Sequence, residues 1–547
     1  MRNIISIFCF FFTGILFLTC SDEKVDEEIN IDKEEVYAFF LKKKMVVNAG
    51  ESQNDIVVNW NRTTWEITIG QGDIIKSISL MQGGSEDGEK QYTKIKMICH
   101  PNATMKCRTQ ILHLTDKTNN TTTDMLIEQD VGFKLVSLNI DADTKYQSVV
   151  GFGGMYNPKI WCGENLISSK EMERMYGEEG LGYSILRLMI YPNESDWSAD
   201  VEGAKIAQAN GAVIFACPWD CTTALSEKIK VNGKEVNHLK KENYGAYADH
   251  LIRYINYMKQ QGVNIYAISV QNEPDMDFTY WTPAEMVVFI NQYGSMIRKT
   301  GVKLMSPEAC GTSPDYTDPI ISDAGAFSHT DIVSGHLYQG FIDLSNEYVK
   351  NRYDYICKLY SRIQGKMWWM TEHLFNDGEK SDNPSDWEFQ DWSYCLNHLG
   401  KEIHMCMEGY CSAYIYWYLK RFYGLMGDRD ERSPNNEGEI TKNGYIMAHY
   451  AQYATNKTRI KAVTDNNNIC ATAYINENEK EITLVLLNLT SFTQCVTIDL
   501  PNIKSVTAVE TNEDKNMEPI TLEDFVSGDG VHIIASRNSI ISVRLVL

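Results

Sequence analysis

The chain has 547 residues, with 51 Lys and Arg against 73 Asp and Glu, a formal charge of −22. Its 43% hydrophobic and 23% charged residues are ordinary globular usage, which excludes wholesale disorder, and the length suits about three or four domains or one large barrel with attachments. So acidic a surface repels phosphates and argues against nucleic acid as a main partner.

At the N-terminus Arg2 precedes an apolar run over 4–18, and Cys20 follows ahead of Ser21-Asp22-Glu23-Lys24. About fifteen apolar residues after one positive charge make a secretory h-region, too short for a membrane span of about twenty. A cysteine directly after such a region resembles the bacterial lipoprotein signal, with Thr19 standing where Gly or Ala is usual. The resemblance implies a leader over 1–20, lipidation at Cys20 and an outer-membrane lipoprotein at the cell surface or in the periplasm. An ordinary signal peptide with an incidental cysteine is the other reading. The remaining cysteines of the 14 show neither zinc-site spacing nor a disulfide framework.

Residues 21–131 read as short alternating runs, 55–60, 65–69, 94–98 and 109–114, separated by polar turns. Period-two alternation at a spacing of about ten residues predicts a small β-sandwich. Thr118-Asn119-Asn120-Thr121 reads as a hairpin tip, since Asn tolerates positive φ. The segment resembles a BACON-type module, an immunoglobulin-like domain of gut-bacterial polysaccharide-degrading lipoproteins. Trp60 and Trp65 are either its core or a sugar platform.

From 148 to 457 the texture changes to apolar β runs at 149–154, 183–190, 212–216, 264–270, 303–306, 332–337, 367–371 and 411–417, with helix-like segments such as 244–261, 283–300 and 345–363 between them. Eight such runs predict an α/β fold, a (β/α)8 TIM barrel, rather than a doubly wound sheet with a nucleotide loop. Gly151-Phe152-Gly153-Gly154 lacks the GxGxxG spacing and reads as close backbone packing. Alternation returns over 458–547, a C-terminal side β-sandwich that residues 132–147, beginning near Phe133, would complete.

Barrel active sites gather where strands end. The fourth run ends in Gln271-Asn272-Glu273-Pro274 and the seventh in Thr371-Glu372-His373, so two carboxylates project into one barrel mouth. A retaining glycosidase needs that pair, one group attacking the anomeric carbon and the other protonating the leaving oxygen. A single rim glutamate paired with a cation would be structural; two at strand ends point to chemistry. Neither a metal constellation nor a cofactor motif is visible.

These motifs resemble glycoside hydrolase clan A. With Gly151-Phe152-Gly153-Gly154, Leu186-Arg187-Leu188, Cys217-Pro218-Trp219 and His336-Leu337-Tyr338 in order, the chain from about 133 to 547 resembles family 30. The resemblance implies Glu273 as acid/base, Glu372 as nucleophile, Asn272 on the sugar 2-hydroxyl, and Trp219 and Tyr338 lining the −1 subsite. Glu372 must attack as a carboxylate, with Arg187 and His336 as candidate donors. Glu273 must start protonated, which requires its pKa to be raised by an apolar pocket and a neighbouring negative charge.

Beyond strand eight, Trp417, Arg421 and Tyr423 match the spacing with which subfamily 8, the glucuronoxylanases, clasps a glucuronic acid branch. A guanidinium fork suits a carboxylate, and an anionic sugar approaching a chain of charge −22 needs a local cation. The structural alternative pairs Arg421 with Asp428 or Asp430. The chain departs from the subfamily at Leu374 and Asp377, where a tyrosine and a small polar residue are usual, and lacks the usual lysine after Trp219. The expectation is a monomeric endo-β-1,4-xylanase acting on glucuronoxylan without cofactor. The alternatives are another family 30 activity (β-1,6-glucanase, β-glucosidase or β-xylosidase) and a non-catalytic glycan-binding lipoprotein.

Overall fold

The computed structural model describes residues 36–547 apart from 90, 103, 105, 131, 133, 160–165, 339, 341–342, 376–390, 431–432, 434, 477, 479, 521 and 523–529. The leader with Cys20, and also Phe133 and Asp377, therefore lie outside the described residues. The rest falls into two compact units, an N-terminal one ending at Asp130 and a larger one from 131 to Leu547, with 103–106 grouped with the latter.

The N-terminal unit has a four-stranded and a five-stranded sheet around one apolar core. Alternation does the sorting. Along Arg108–Asp116 the residues Gln110, Leu112, Leu114 and Asp116 are buried while those between them reach towards solvent. The hairpin between Arg108–Asp116 and Thr121–Gln129 turns through Asn120 at φ 53°. Trp60 and Trp65 both belong to the core. Trp65 is 1% exposed, and the Trp60 indole N–H donates to Thr93 Oγ1 at 2.8 Å. Neither ring offers a face to a sugar.

In the larger unit eight parallel strands close into a barrel. They are β1 (Gly151–Met155), β2 (Ile185–Ile190), β3 (Val213–Pro218), β4 (Ile265–Ser269), β5 (Lys303–Ala309), β6 (Ile332–Gly335), β7 (Met367–His373) and β8 (Ala413–Tyr416), and β8 pairs back with β1. Barrel strands are covered on both faces, so they read as continuous apolar runs; all six residues of β2 are buried. The helix Tyr244–Gln260 packs Tyr247, Leu251, Tyr254 and Met258 inward at helical spacing. The helix Pro283–Arg298 starts at a capping box between Thr282 and Glu285. One element lies outside the sequence-based expectation, a hairpin of Ser226–Val231 and Lys234–Leu239 after β3, joined in a small sheet by Thr279–Tyr280. Its turn is Asn232-Gly233, both at positive φ, the dipeptide that tight hairpins favour.

The remaining strands form one nine-stranded sheet. Lys134–Ser148, from before the barrel, pairs antiparallel with Thr458–Thr464 and parallel with Gln494–Ile498. Strands Val531–Ala535 and Ser539–Val546 are linked by residues 536–538 only, yet five strands stand between them in the sheet. That link reaches roughly 14 Å, whereas a flat sheet would separate the two by about 29 Å. The sheet must therefore double back on itself, and the apolar side chains of Val136, Ile482, Val496, Ile533 and Val543 fill the space so enclosed.

Candidate active site

Five strand ends deliver polar side chains to one place. Arg187 lies on β2, Asn272 and Glu273 follow β4, Glu308 lies on β5, His336 and Tyr338 follow β6, and Glu372 lies on β7. All but Tyr338 are at most 7% exposed. One carboxylate oxygen of Glu273, one of Glu372 and a ring nitrogen of His336 all lie within 4.8 Å of one another.

Glu372 is oriented by two donors. Arg187 Nη1 donates to its Oε2, and the Tyr338 hydroxyl donates to Oε1 at 2.8 Å. Arg187 Nη2 also reaches Asn272 Oδ1 at 2.5 Å and Glu308 Oε2 at 3.3 Å. Asn272 thereby has its oxygen occupied, while its buried Nδ2 finds no acceptor among the described residues. Glu273 sits at φ 45°, a sparsely populated region for a side-chain-bearing residue, held by its N–H to the Glu308 carbonyl at 2.9 Å.

His336 meets Glu372 as a charge rather than through a hydrogen bond. Its Nε2 stands 3.8 Å from Glu372, while Nδ1 meets Glu273 at 3.1 Å and Nε2 meets Glu308 at 3.3 Å. Burial alone would lower its pKa, but the Glu372 charge and the bonds to Glu273 and Glu308 push it up to about 10. This reverses the expectation for Glu273. Burial raises its pKa, but the hydrogen bond and charge of His336, with help from Cys310 and Arg187, hold it below the ordinary carboxylate range. Glu273, His336 and Glu372 have the spacing of a metal site. The Glu372 charge is already met by the Arg187 guanidinium.

Above this floor lie aromatic rings. The Arg187 guanidinium packs 4.8 Å from the Trp219 ring, and Trp219 faces Trp417 at 5.8 Å between centroids. Trp417 rests on Tyr418 at 4.1 Å. The partly buried Arg421 lies 5.9 Å from the Tyr418 ring, 5.9 Å from Phe422 and 5.8 Å from Tyr423. Its Nε is buried without an acceptor, and no carboxylate among the described residues pairs with it. The alternative pairing is present only as a longer-range charge interaction with Asp428. Asp428 feels its charge, but burial dominates there and raises the carboxyl's pKa.

No protein-family model matches this chain. The fold matches that of the family 30 endoxylanase from Clostridium papyrosolvens C71, with a TM-score of 0.62 at 29% identity over 76% of this chain and 100% of that one. It also matches the family 30 subfamily 8 xylanase Xyn30A from Clostridium acetobutylicum, at 0.61 and 26% over 75% and 100%. Glucuronoxylanase XynC of Bacillus subtilis strain 168 is 32% identical over 392 residues, 71% of this chain and 86% of that protein. The chain belongs to the glucuronoxylanase-like glycoside hydrolases of family 30.

In this hydrolase Glu308 is a site residue that the sequence reading missed. Proline breaks sheet pairing, so Pro307 suggests that strand five ends at 306, whereas β5 runs on to Ala309. The rule that strand-end acids in a barrel are candidates would have found it. Glu402 was missed as well; it bonds His373 Nδ1 at 2.6 Å and Tyr414 at 2.7 Å and so steadies the residue next to Glu372.

Proposed function

We propose that this enzyme is a retaining endo-β-1,4-xylanase in which Glu372 is the nucleophile and Glu273 the acid/base, and that Arg421 receives a (methyl)glucuronic acid branch of the substrate. The observation that carries the mechanism is the approach of the Glu273 and Glu372 oxygens to within 4.8 Å. Retaining enzymes hold their carboxyls about 5–5.5 Å apart, whereas inverting ones leave about 6.5–9.5 Å for a water.

Glu372, fixed by Arg187 and Tyr338, attacks the anomeric carbon as a carboxylate. The glycosidic C–O bond breaks as Glu273 protonates the leaving oxygen, and an ester to Glu372 forms. Asn272 Nδ2, whose oxygen is already committed to Arg187, donates to the sugar hydroxyl beside that carbon. Esterification removes the Glu372 charge, Glu273 then accepts a proton from water, and the ester is hydrolysed with net retention.

Substrate choice is supported by the names of the relatives and by Arg421, a cation ringed by aromatic faces with a buried donor still unused. Leu374, where the subfamily offers tyrosine, weighs towards a looser grip on the uronate. The leader supports a lipid-anchored enzyme facing polysaccharide outside the cell.

Digestion of glucuronoxylan beside unbranched xylan, with mass analysis of the products, tests the reading. Products carrying a uronate at one fixed position are expected, and identical ladders from both substrates would remove the branch from the account. Glu372→Gln is expected to cut turnover by about 10⁴-fold or more while substrate still binds. Substantial residual turnover would refute the nucleophile.

A further inference from the structure

We propose that Glu308 is a positioning residue for the acid/base step, holding His336 so that the catalytic proton is shared between His336 and Glu273. The proposal rests on the reading of Glu273 as acid/base. Glu308 is fully buried and faces three groups only through Oε2: His336 Nε2 at 3.3 Å, Arg187 Nη2 at 3.3 Å and the Cys217 thiol at 3.4 Å. Its Oε1 makes no close hydrogen bond among the described residues, although burial, which raises its pKa, is outweighed by His336, Arg187 and the Ser334 hydroxyl, which lower it. A side chain so enclosed does not touch a sugar and must act through its neighbours.

The charges define what it does. Glu273, Glu308 and Glu372 bring three negative charges, and Arg187 with a protonated His336 brings two positive ones. His336 cation with Glu273 carboxylate, and neutral His336 with Glu273 acid, are two placements of one proton across 3.1 Å. As the glycosidic oxygen develops charge, the proton on Nδ1 passes to Glu273 and from Glu273 to that oxygen. His336 is left neutral with its remaining proton on Nε2, bonded to Glu308. In the second half-reaction a proton of the attacking water returns by the same route, so protons balance over the cycle. Without Glu308, nothing on β5 would stabilise the Nε2 proton.

The groups around His336 weigh towards its cation. Glu273 after β4, Glu308 on β5 and Glu372 on β7 favour the cation, with Asp275 more distant. Arg187 on β2 opposes it; Cys217, Cys310 and Tyr338 hold their protons, their pKa values raised by burial. The alkaline limb of kcat/KM then reports loss of the shared proton, and removing one nearby carboxylate charge moves that limb to lower pH.

The experiment compares pH profiles of kcat/KM on glucuronoxylan for the wild type, Glu308→Gln and Glu308→Asp. For Glu308→Gln the alkaline limb is expected to fall by about one pH unit or more. Glu308→Asp keeps the charge and is expected to lose rate with the limb in place. A folded Glu308→Gln enzyme whose limb superimposes on the wild type overturns the proposal, as does an equal shift in Glu308→Asp. If Glu308→Gln does not fold, side-chain ¹⁵N NMR of the wild type decides, with His336 assigned through His336→Asn. A proton held on Nε2 at pH 8 supports the proposal, and a ring whose Nε2 carries no proton overturns it. None of these failures touches the Glu372→Gln result, so loss of this inference and loss of the hydrolase reading are separable.

Discussion

Gly153 on β1 lies so close to Ile185 on β2 that a Cβ added to the glycine would stand 1.7 Å from the Ile185 carbonyl oxygen. The same residue pairs with Ile185 on one side and Ile415 on the other, at the seam where the barrel closes. Gly153→Ala must therefore push the two backbones apart and is expected to cost more than about 4 kcal/mol, or to give no soluble enzyme. At Gly154 the first atom met is Leu419 Cδ2, a side-chain tip that can turn, so Gly154→Ala is expected to cost about 1–3 kcal/mol. Chemical unfolding of both variants checks the order, and equal losses would show that the seam is not the tight point.

That glycine run was readable as close packing because the sequence offered glycines without phosphate-loop spacing. The barrel strands were readable for a similar reason, since burial on both faces leaves an apolar run. Glu273 and Glu372 stood out as acids at the ends of such runs. What local sequence does not carry is partnership across the mouth. That His336 hydrogen-bonds Glu273 and Glu308 and reaches Glu372 only as a charge, and that Tyr338 supplies the second donor to Glu372, depends on side chains brought together by closure. Trp60 and Trp65 were ambiguous for the same reason, because a strand tryptophan faces core or solvent according to sheets elsewhere in the chain. The Asn232-Gly233 hairpin is legible by its turn dipeptide, but it lies between two louder signals.

The roles of the two glutamates separate by leaving group. Protonation matters less when the departing alcohol is a good leaving group, so Glu273→Ala is expected to lose about 10²–10⁴-fold on xylan but much less on a dinitrophenyl xylobioside. Its ester intermediate then lacks a base, and added azide should speed turnover and yield a glycosyl azide of retained configuration. If Glu372→Ala behaves this way instead, the two assignments are exchanged.

Two buried histidines set stability against pH in opposite directions. His449, on the helix Lys442–Ala454, bonds Ser542 and Thr511 at 2.8 Å each, and burial pulls its pKa down to about 3. Its folded pKa lies below the unfolded value of about 6.5, so its contribution is present above 6.5 and is lost as pH falls towards 3, approaching about 1.4 kcal/mol per pH unit. His336, raised to about 10, contributes fully below 6.5 and loses that contribution as pH rises through 10. Unfolding of the wild type between pH 7.5 and 4.5 is expected to steepen below 6.5, and His449→Gln should be less stable at pH 7.5 yet flatter. Parallel slopes would place the acid sensitivity elsewhere.

Arg421 differs from an ordinary surface cation in its surroundings. Three aromatic rings lie within 6 Å of its guanidinium carbon, and its Nε is buried. A planar, delocalised group fits between ring faces and can still present two parallel N–H bonds to a carboxylate; an ammonium can do neither. Arg421→Lys keeps the charge but loses the fork. It is expected to bind branched substrate little better than Arg421→Gln, with kcat/KM on glucuronoxylan falling about 10–100-fold in both, as for charged hydrogen bonds of about 1.5–3 kcal/mol. On unbranched xylan both variants should match the wild type. Added salt should weaken the preference for the branched polymer in the wild type and in Arg421→Lys, which keeps the charge, and leave Arg421→Gln unmoved, because screening acts on the charge pair alone. Full rescue by lysine would mean that a point charge suffices, and the ring-bound fork would then have no role in choosing the substrate.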